Sequence, residues 1–322
     1  MSIVEKALQK AQQTPGAQPA QPGITPGEPE AAAPSAQPPA SIEPARAEPR
    51  PRAASAPAHP SRQSVSVDPA RLRQFGLLPA EDLVPEAIDE FRRIKWPLLE
   101  SALGRAAGGS VAAENNLILI TSAMAEEGKS FTALNLAGVI GRERDCRCIL
   151  VDADLRSPKL SEALGLLDRK GIQDLLADES LTLADIVYPT DIEGLLFVPA
   201  GTGGESGPEL LASRRMTQVC AELAEYVHDG VVLFDSSPLL LSNESQVLSR
   251  LVGQVLLVVR ADFTEQRLVR EAIGLLDRTK LISTVLNDVQ RTGIGDDPMS
   301  YGYGYGYGSR KRYGTARAGG TR

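Results

Sequence analysis

The 322-residue sequence contains few of the residues that mark several large classes of protein. Aromatic residues make up only 4% of it. The three cysteines, Cys146, Cys148 and Cys220, are an odd number without metal-site spacing, which indicates a reducing compartment and argues against a disulfide framework. No apolar run is long enough to span a bilayer, and the first residues lack a signal-peptide core. We therefore expect a cytoplasmic protein.

An excess of positive charge is also missing. The formal net charge is −7, so the chain lacks the electrostatic signature of a nucleic-acid-binding protein, and we expect no nucleic-acid partner. The length is sufficient for one sizeable α/β domain with tails, or for two small domains.

Composition divides the chain into four parts. Residues 1–13 have an apolar helical face and predict a short amphipathic helix, which would either dock on a partner or fray. Residues 14–68 are dominated by Pro, Ala, Gln, Ser and Glu, which is typical of a disordered linker. A folded domain is predicted over 69–290, with a helical lead-in over 80–107 that Pro97 should kink or end. Residues 291–322 form a basic tail rich in Tyr and Gly.

Apolar runs alternate with helical patterns throughout the predicted domain. This alternation predicts an α/β fold with a mostly parallel, doubly wound sheet flanked by helices. The pattern over 207–227 predicts one long helix. The predicted strands are 117–120, 149–151, 195–201, 230–238, 254–262 and 281–289.

The first of these strands leads into a candidate phosphate-binding loop. Strand, loop, Gly128-Lys129-Ser130 and helix follow one another, which is the context that a P-loop requires. Loop amides and the helix N-terminus would attract an anion, Lys129 would reach the β- and γ-phosphates, and Ser130 would hold Mg²⁺. Two features fit less well: Ala123 replaces the first glycine, and Glu126 and Glu127 bring carboxylates into the loop. The alternative is an ordinary helix start.

Acidic residues follow two other predicted strands. Asp152 and Asp154 come at the end of one strand and Asp235 at the end of another. Because ligands bind at the carboxyl ends of parallel strands, these carboxylates are candidates for Mg²⁺ coordination or for activation of a hydroxyl nucleophile. A solvated strand-end turn is the alternative for the first pair.

The tail carries regularly spaced tyrosines. Glycine-rich chain has little to bury, so we expect these side chains to be exposed on a mobile tether. A tail that binds anionic surfaces or aggregates is the alternative. The tyrosines are Tyr301, Tyr303, Tyr305, Tyr307 and Tyr313.

Taken together, these motifs resemble the bacterial tyrosine kinases of capsule and exopolysaccharide systems, which are P-loop proteins. The resemblance is nearest to the exosortase-associated (PEP-CTERM locus) tyrosine autokinases. It covers nearly the whole chain except the linker. The stretches that carry it are MSIVEKALQK, TSAMAEEGKSFTALNLA, VDADLRSP, ELLAS, LFDSSPLLLSNES and the Tyr-Gly tail.

The resemblance implies an ATP- and Mg²⁺-dependent protein-tyrosine autokinase. The catalytic residues would be Lys129, Asp152, Asp154 and Asp235, and the Mg²⁺ ligands Ser130, Asp152 and Asp235. ATP would contact the stretch from Ala123 to Phe131, including Glu126, Glu127, Gly128, Lys129 and Ser130. The tail tyrosines would be autophosphorylated by a neighbouring copy.

The resemblance also implies partners and a location. Asp89, Arg92 and Lys95 match, with conservative changes, the family's ring-assembly pattern Glu-x-x-Arg-x-x-Arg, although periodicity alone would favour a solvated charged stripe. A membrane polysaccharide co-polymerase (chain-length determinant protein) would activate the kinase, and a cognate tyrosine phosphatase would oppose it. The protein would lie in the cytoplasm, peripheral to the inner membrane, and regulate exopolysaccharide polymerisation and export.

The sequence departs from the family pattern in two motifs. The usual Pro-Gly-Glu-Gly before the lysine is Ala125-Glu126-Glu127-Gly128, and a glutamate in place of glycine should strain the loop or weaken ATP binding. The usual Asp-Thr-Pro-Pro is residues 235–238, Asp-Ser-Ser-Pro. A nucleotide-dependent switch or positioning ATPase of the partition or septum-site type is the alternative function. The absence of lysine at 122–124 counts against it, and a scaffold that only binds ADP is a third possibility.

Overall fold

The computed structural model describes residues 64–104, 114–203, 207–227 and 229–289. Its centre is a seven-stranded sheet in the order β3-β4-β2-β5-β1-β6-β7, in which only β3 is antiparallel to its neighbour. The strands are β1 Leu117–Ser122, β2 Arg147–Asp152, β3 Tyr188–Pro189, β4 Leu195–Val198, β5 Gly230–Asp235, β6 Gln254–Arg260 and β7 Leu281–Asn287.

Helices cover both faces of this sheet, and a 3-10 helix at Glu81–Leu83 precedes the second of them. The helices are α1 Pro69–Gln74, α2 Val84–Ala102, α3 Lys129–Gly141, α4 Lys159–Ala163, α5 Ile172–Ala177, α6 Leu183–Ile186, α7 Gly207–Leu211, α8 Arg214–Tyr226, α9 Asn243–Leu251 and α10 Gln266–Gly274. Among the described residues, no helix has the length and apolarity needed to cross a bilayer.

The two faces of the sheet each form a hydrophobic core. Along β1, Leu117 and Leu119 pack in one core, while Ile118 and Ile120 pack in the other. Successive side chains of a strand point to opposite faces, so a strand that is apolar throughout is buried on both sides, as parallel strands in α/β proteins are. The structure confirms the predicted α/β class and the mostly parallel, doubly wound sheet.

Two helix predictions differ from the structure. Pro97 does not end helix α2, which continues to Ala102. The residues after it, Leu98, Leu99 and Ala102, are buried. Pro97 lies on the exposed face, where water can reach the carbonyl that a proline leaves unpaired. The predicted single helix over 207–227 is two helices. The second begins after Ser213, whose extended backbone and hydroxyl cap the helix N-terminus.

The sheet also extends further than predicted at one edge. The two-residue strand β3, which the apolar pattern missed, pairs with β4. Val65 is buried and bridges to Thr190 beside this edge, although it belongs to the predicted linker over 14–68. The packed chain therefore begins before residue 69. Residues 1–13, the rest of the linker up to residue 63 and the tail over 291–322 lie outside the described residues.

Candidate active site

The loop between β1 and α3 has the geometry of an anion-binding site. Lys129 is the first residue of α3, and Gly128 precedes it with a left-handed backbone (φ 91°). The first N–H groups of a helix have no intrahelical partner and carry partial positive charge. This turn therefore directs backbone donors and a lysine towards the carboxyl edge of the sheet.

The side chain of Asn287, the last residue of β7, packs against Gly128. A Cβ atom at Gly128 would lie 2.0 Å from the Asn287 Nδ2 atom, so the Asn287 amide would have to move away. The same Asn287 amide donates to the Glu127 carbonyl at 3.0 Å. The left-handed backbone favours glycine here, and a side chain would also displace the Asn287 amide from the Glu127 carbonyl.

The two glutamates of the loop lie in different environments. Glu127 is fully buried, and its carboxylate accepts the Met124 N–H at 2.5 Å and the Thr264 hydroxyl. Its carboxylate is therefore engaged by two donors inside the protein. Glu126 is exposed and has φ 64°, a conformation that L side chains rarely adopt.

Asp152 and Asp235 lie side by side because they end neighbouring parallel strands in register. Both are buried. Asp152 Oδ2 accepts the Ser161 N–H at 2.8 Å and the Ser161 hydroxyl at 2.7 Å. Burial, together with the charge of Asp235, raises the pKa of Asp152 to about 8. Burial raises the pKa of Asp235 to about 7, although the Lys129 charge and the Ser130 hydroxyl oppose that shift.

This pair of carboxylates suits a hard cation. The Oδ1 atoms of Asp152 and Asp235 are buried without a hydrogen-bond partner, and Ser130 hydrogen-bonds Asp235 from the start of α3. In the described part of the chain, no cluster of three or more His, Cys, Asp or Glu side chains could hold a metal. Mg²⁺ typically takes one or two carboxylates and completes its shell with phosphate and water. The donors present therefore fit Mg²⁺ bound together with a nucleotide.

Asp154 stands beside the lysine. Its Oδ2 atom lies 3.3 Å from Lys129 Nζ, and both side chains are about nine-tenths buried. Its Oδ1 atom accepts the Ser237 hydroxyl at 2.7 Å. The structure thus brings Lys129, Ser130 and all three predicted aspartates together at one edge of the sheet.

Other predicted nucleotide contacts face elsewhere. Ala123 is fully buried, and the Phe131 ring packs 6.0 Å from the ring of Phe91 on α2. A nucleotide contact at Ala123 would therefore involve the backbone.

The predicted assembly residues do not share one environment. Arg92 pairs with Asp89 at 2.9 Å, and both side chains are exposed. Lys95 is buried and pairs with Glu143, just beyond α3. Their role in assembly stays a prediction, and the five tail tyrosines lie outside the described residues.

Sequence reasoning missed four residues that support the site. They are hydroxyl or amide side chains that hold the loop or the aspartates. The signal available for three of them was their position at or soon after the end of a predicted strand, where ligand-binding residues of parallel sheets lie. The four are Ser161, Ser237, Thr264 and Asn287.

The fold and this edge define a P-loop nucleotide-binding protein. No family model matches the chain. It is 30% identical over 181 residues to the tyrosine-protein kinase YwqD of Bacillus subtilis, covering 55% of this chain and 74% of that protein. On this similarity, the chain belongs to the bacterial tyrosine-protein kinase family, which confirms the resemblance seen in its motifs.

Further comparisons agree. The tyrosine-protein kinase ptk of Acinetobacter johnsonii is 29% identical over 185 residues, which are 57% of this chain and 25% of that protein. The chain therefore spans about a quarter of that relative's length. A solved structure described as the BceF tyrosine kinase domain is 26% identical and covers 67% of this chain and 86% of its own, with a TM-score of 0.54.

Proposed function

We propose that this chain is an ATP- and Mg²⁺-dependent protein-tyrosine kinase that phosphorylates tyrosines of its own C-terminal tail in another copy. The observation that carries the proposal is the contact between Lys129 and Asp154, beside the buried pair of Asp152 and Asp235. A cation suited to phosphate and a carboxylate suited to a hydroxyl proton thus occupy one buried site.

The phosphate side follows from the start of α3. The loop amides and Lys129 bind the β- and γ-phosphates, and the lysine leaves Asp154 as it does so. Ser130, Asp152 and Asp235 would hold Mg²⁺, which neutralises charge on the phosphates when bound. Burial raises the pKa of both carboxyls. Asp152 and Asp235 would therefore have to release protons when Mg²⁺ binds.

The acceptor side centres on Asp154. A free tyrosine has a pKa of about 10, so its proton must be accepted as the hydroxyl attacks the γ-phosphate. Once Lys129 turns to the phosphates, Asp154 Oδ2 loses its cation and is free to accept that proton. Asp152 is fully buried, and one of its oxygens already accepts two hydrogen bonds from Ser161. In our proposal it binds Mg²⁺ and does not accept the tyrosine proton.

The tail supplies the substrate and the regulation. The tail beyond Asp297 has basic residues and no acid, and each phosphotyrosine adds about −1.5 to −2 charges. Phosphorylation therefore reverses the charge of the tail. In our proposal this reversal releases a copy from a ring-like homo-oligomer at the inner membrane and couples the kinase to a polysaccharide co-polymerase during exopolysaccharide export. A tyrosine phosphatase resets the tail.

The test is phosphopeptide mass spectrometry of the full chain after incubation with and without Mg²⁺–ATP. We expect phosphate on the tail tyrosines of the wild type, none in Lys129→Met, and none in the tail of a variant with Phe at all five positions. Lys170→Met, which changes an exposed lysine, is the matched control and should keep the signal. Phosphotyrosine that survives in Lys129→Met would contradict the assigned site.

Mixing the two inactive variants tests transfer between copies. Lys129→Met keeps an intact tail, and the all-Phe variant keeps an intact site, so phosphate on the Lys129→Met tail requires a neighbour's site. ATP hydrolysis without phosphotyrosine would instead support the switch or positioning ATPase. Tight ADP binding without either activity would support the scaffold.

A further inference from the structure

Ser237 is a buried hydroxyl that touches the proposed base. It lies two residues after β5 and is 8% exposed, and its Oγ atom donates to Asp154 Oδ1 at 2.7 Å. The other oxygen of Asp154 faces Lys129. Each carboxylate oxygen therefore has its own partner, and the two partners belong to different elements.

The position of Ser237 is itself held by hydrogen bonds. Its backbone carbonyl accepts the Thr121 hydroxyl at 2.9 Å and the Ser245 hydroxyl at 2.6 Å. These donors come from β1 and α9, on either side of the segment after β5. Because two elements fix the carbonyl, the Ser237 side chain projects towards Asp154 from a rigid base.

This arrangement matters when Lys129 moves. A carboxylate held only by a lysine would follow it towards the phosphates or rotate to pair with it through both oxygens. The Ser237 hydroxyl keeps one oxygen in place, so the other stays where the lysine leaves it. A displacement of about 1 Å at a reacting group can cost on the order of 100-fold in rate.

We propose that Ser237 is a positioning residue for phosphate transfer, which acts by orienting Asp154 while Lys129 binds the nucleotide. The inference rests on the proposed kinase function. It concerns a position where the sequence departs from the usual Asp-Thr-Pro-Pro pattern, in which a proline has no hydroxyl to donate.

The experiment measures the autophosphorylation rate at saturating ATP, the KM for ATP, and the affinity for a fluorescent ATP analogue, all on the full chain. We expect Ser237→Ala to lower the rate about tenfold or more, with KM and analogue affinity within about twofold of the wild type. Ser237→Thr restores a hydroxyl and should recover the rate to within about threefold. Ser249→Ala removes a buried hydroxyl of α9 that donates to the Gln246 carbonyl and not to Ser237, and this control should stay within about threefold.

The remaining outcomes overturn the inference. A Ser237→Ala rate within twofold of the wild type would show that Asp154 needs no support. Equal losses in Ser237→Ala and Ser249→Ala, loss of nucleotide binding in Ser237→Ala, or failure of Ser237→Thr to recover the rate would show a general packing effect. If the wild type transfers no phosphate, the proposed function fails and this inference fails with it, whereas an active wild type with an active Ser237→Ala refutes the inference alone.

Discussion

Replacing Glu126 by glycine should separate two costs that this residue brings to the phosphate loop. The first is conformational, because Glu126 has φ 64°, where a side chain crowds the backbone. The second is electrostatic, because an exposed carboxylate stands in a loop that binds a polyanion. Glu126→Gly removes both costs, whereas Glu126→Gln removes the charge and keeps the strained backbone.

The conformational term acts on folding. A non-glycine residue in the left-handed region costs roughly 1–2 kcal/mol, and the freedom of glycine in the unfolded chain returns about 0.4–1 kcal/mol of that. We therefore expect Glu126→Gly to raise the free energy of unfolding by about 0.5–1 kcal/mol relative to Glu126→Gln, or about 1–4 °C in melting temperature. This term leaves affinity unchanged if the loop keeps its conformation on binding.

The electrostatic term acts on binding. A unit charge several ångströms from the phosphates, screened by water and salt, changes affinity by roughly two- to fivefold. Both variants should therefore bind a fluorescent ATP analogue more tightly than the wild type, and by similar factors. The gain should shrink as salt is raised, because the residue is exposed.

Urea denaturation followed by circular dichroism measures the first term, and analogue titration at two salt concentrations measures the second. A Glu126→Gly protein no more stable than Glu126→Gln would refute the strain argument. Unchanged affinity in Glu126→Gln would refute the electrostatic one. Tighter binding in Glu126→Gly alone would show that the loop changes conformation when nucleotide binds.

Two further predictions concern the same edge of the sheet. Gly128→Ala should weaken analogue binding about tenfold or more, because its Cβ would lie 2.0 Å from Asn287 on a backbone with φ 91°. Gly138→Ala is the control, because nothing lies within 4 Å of a Cβ there. Equal binding by the two variants would contradict the clash. The pKa of Asp152 is about 8 in the folded protein and about 4 in the unfolded chain. Between these pH values the folded state binds the extra proton, so the free energy of unfolding falls as pH rises. In urea denaturation without Mg²⁺ or nucleotide, Asp152→Asn should therefore stabilise the protein at pH 8 and not at pH 4; the same effect at both would refute this linkage.

The sequence predicts the sheet well because its central strands, such as β1, β5 and β6, are apolar and buried on both faces. The edge strand β7 contains Ser283 and Thr284 and is less buried. Each of the six predicted strands overlaps a strand of the structure, since uninterrupted apolar runs between helical patterns have few other places in an α/β fold. Strand β3 escaped notice because two residues, one of them a proline, carry no periodicity. The apolar spacing continues across Ser213, which is the N-cap of α8. The sequence pattern therefore did not predict the helix boundary at this residue.

The site was predictable as far as it depends on strand ends. Lys129, Asp152 and Asp235 lie at or directly after strand or loop termini, and parallel topology brings such termini to one edge. The residues that bond to them could not be identified in the same way. Thr264 reaches Glu127 across 137 positions of sequence, and the pairing depends on the order of β1, β6 and β7, which a single sequence does not reveal.

The spacing of Lys95 predicts its burial, whereas its charge predicts exposure. It lies four residues after Phe91 and three before Leu98, so helical geometry places all three on one face, and all three are buried. Its charge suggested an exposed stripe with Asp89 and Arg92, but a buried lysine needs a partner, and Glu143 provides one. In the protein as folded, the exposed part of the predicted assembly pattern is Asp89 and Arg92. Of the three predicted assembly residues, Asp89 and Arg92 are therefore the two whose side chains are exposed to another copy, while Lys95 joins α2 to the residue just beyond the helix that begins at the phosphate loop.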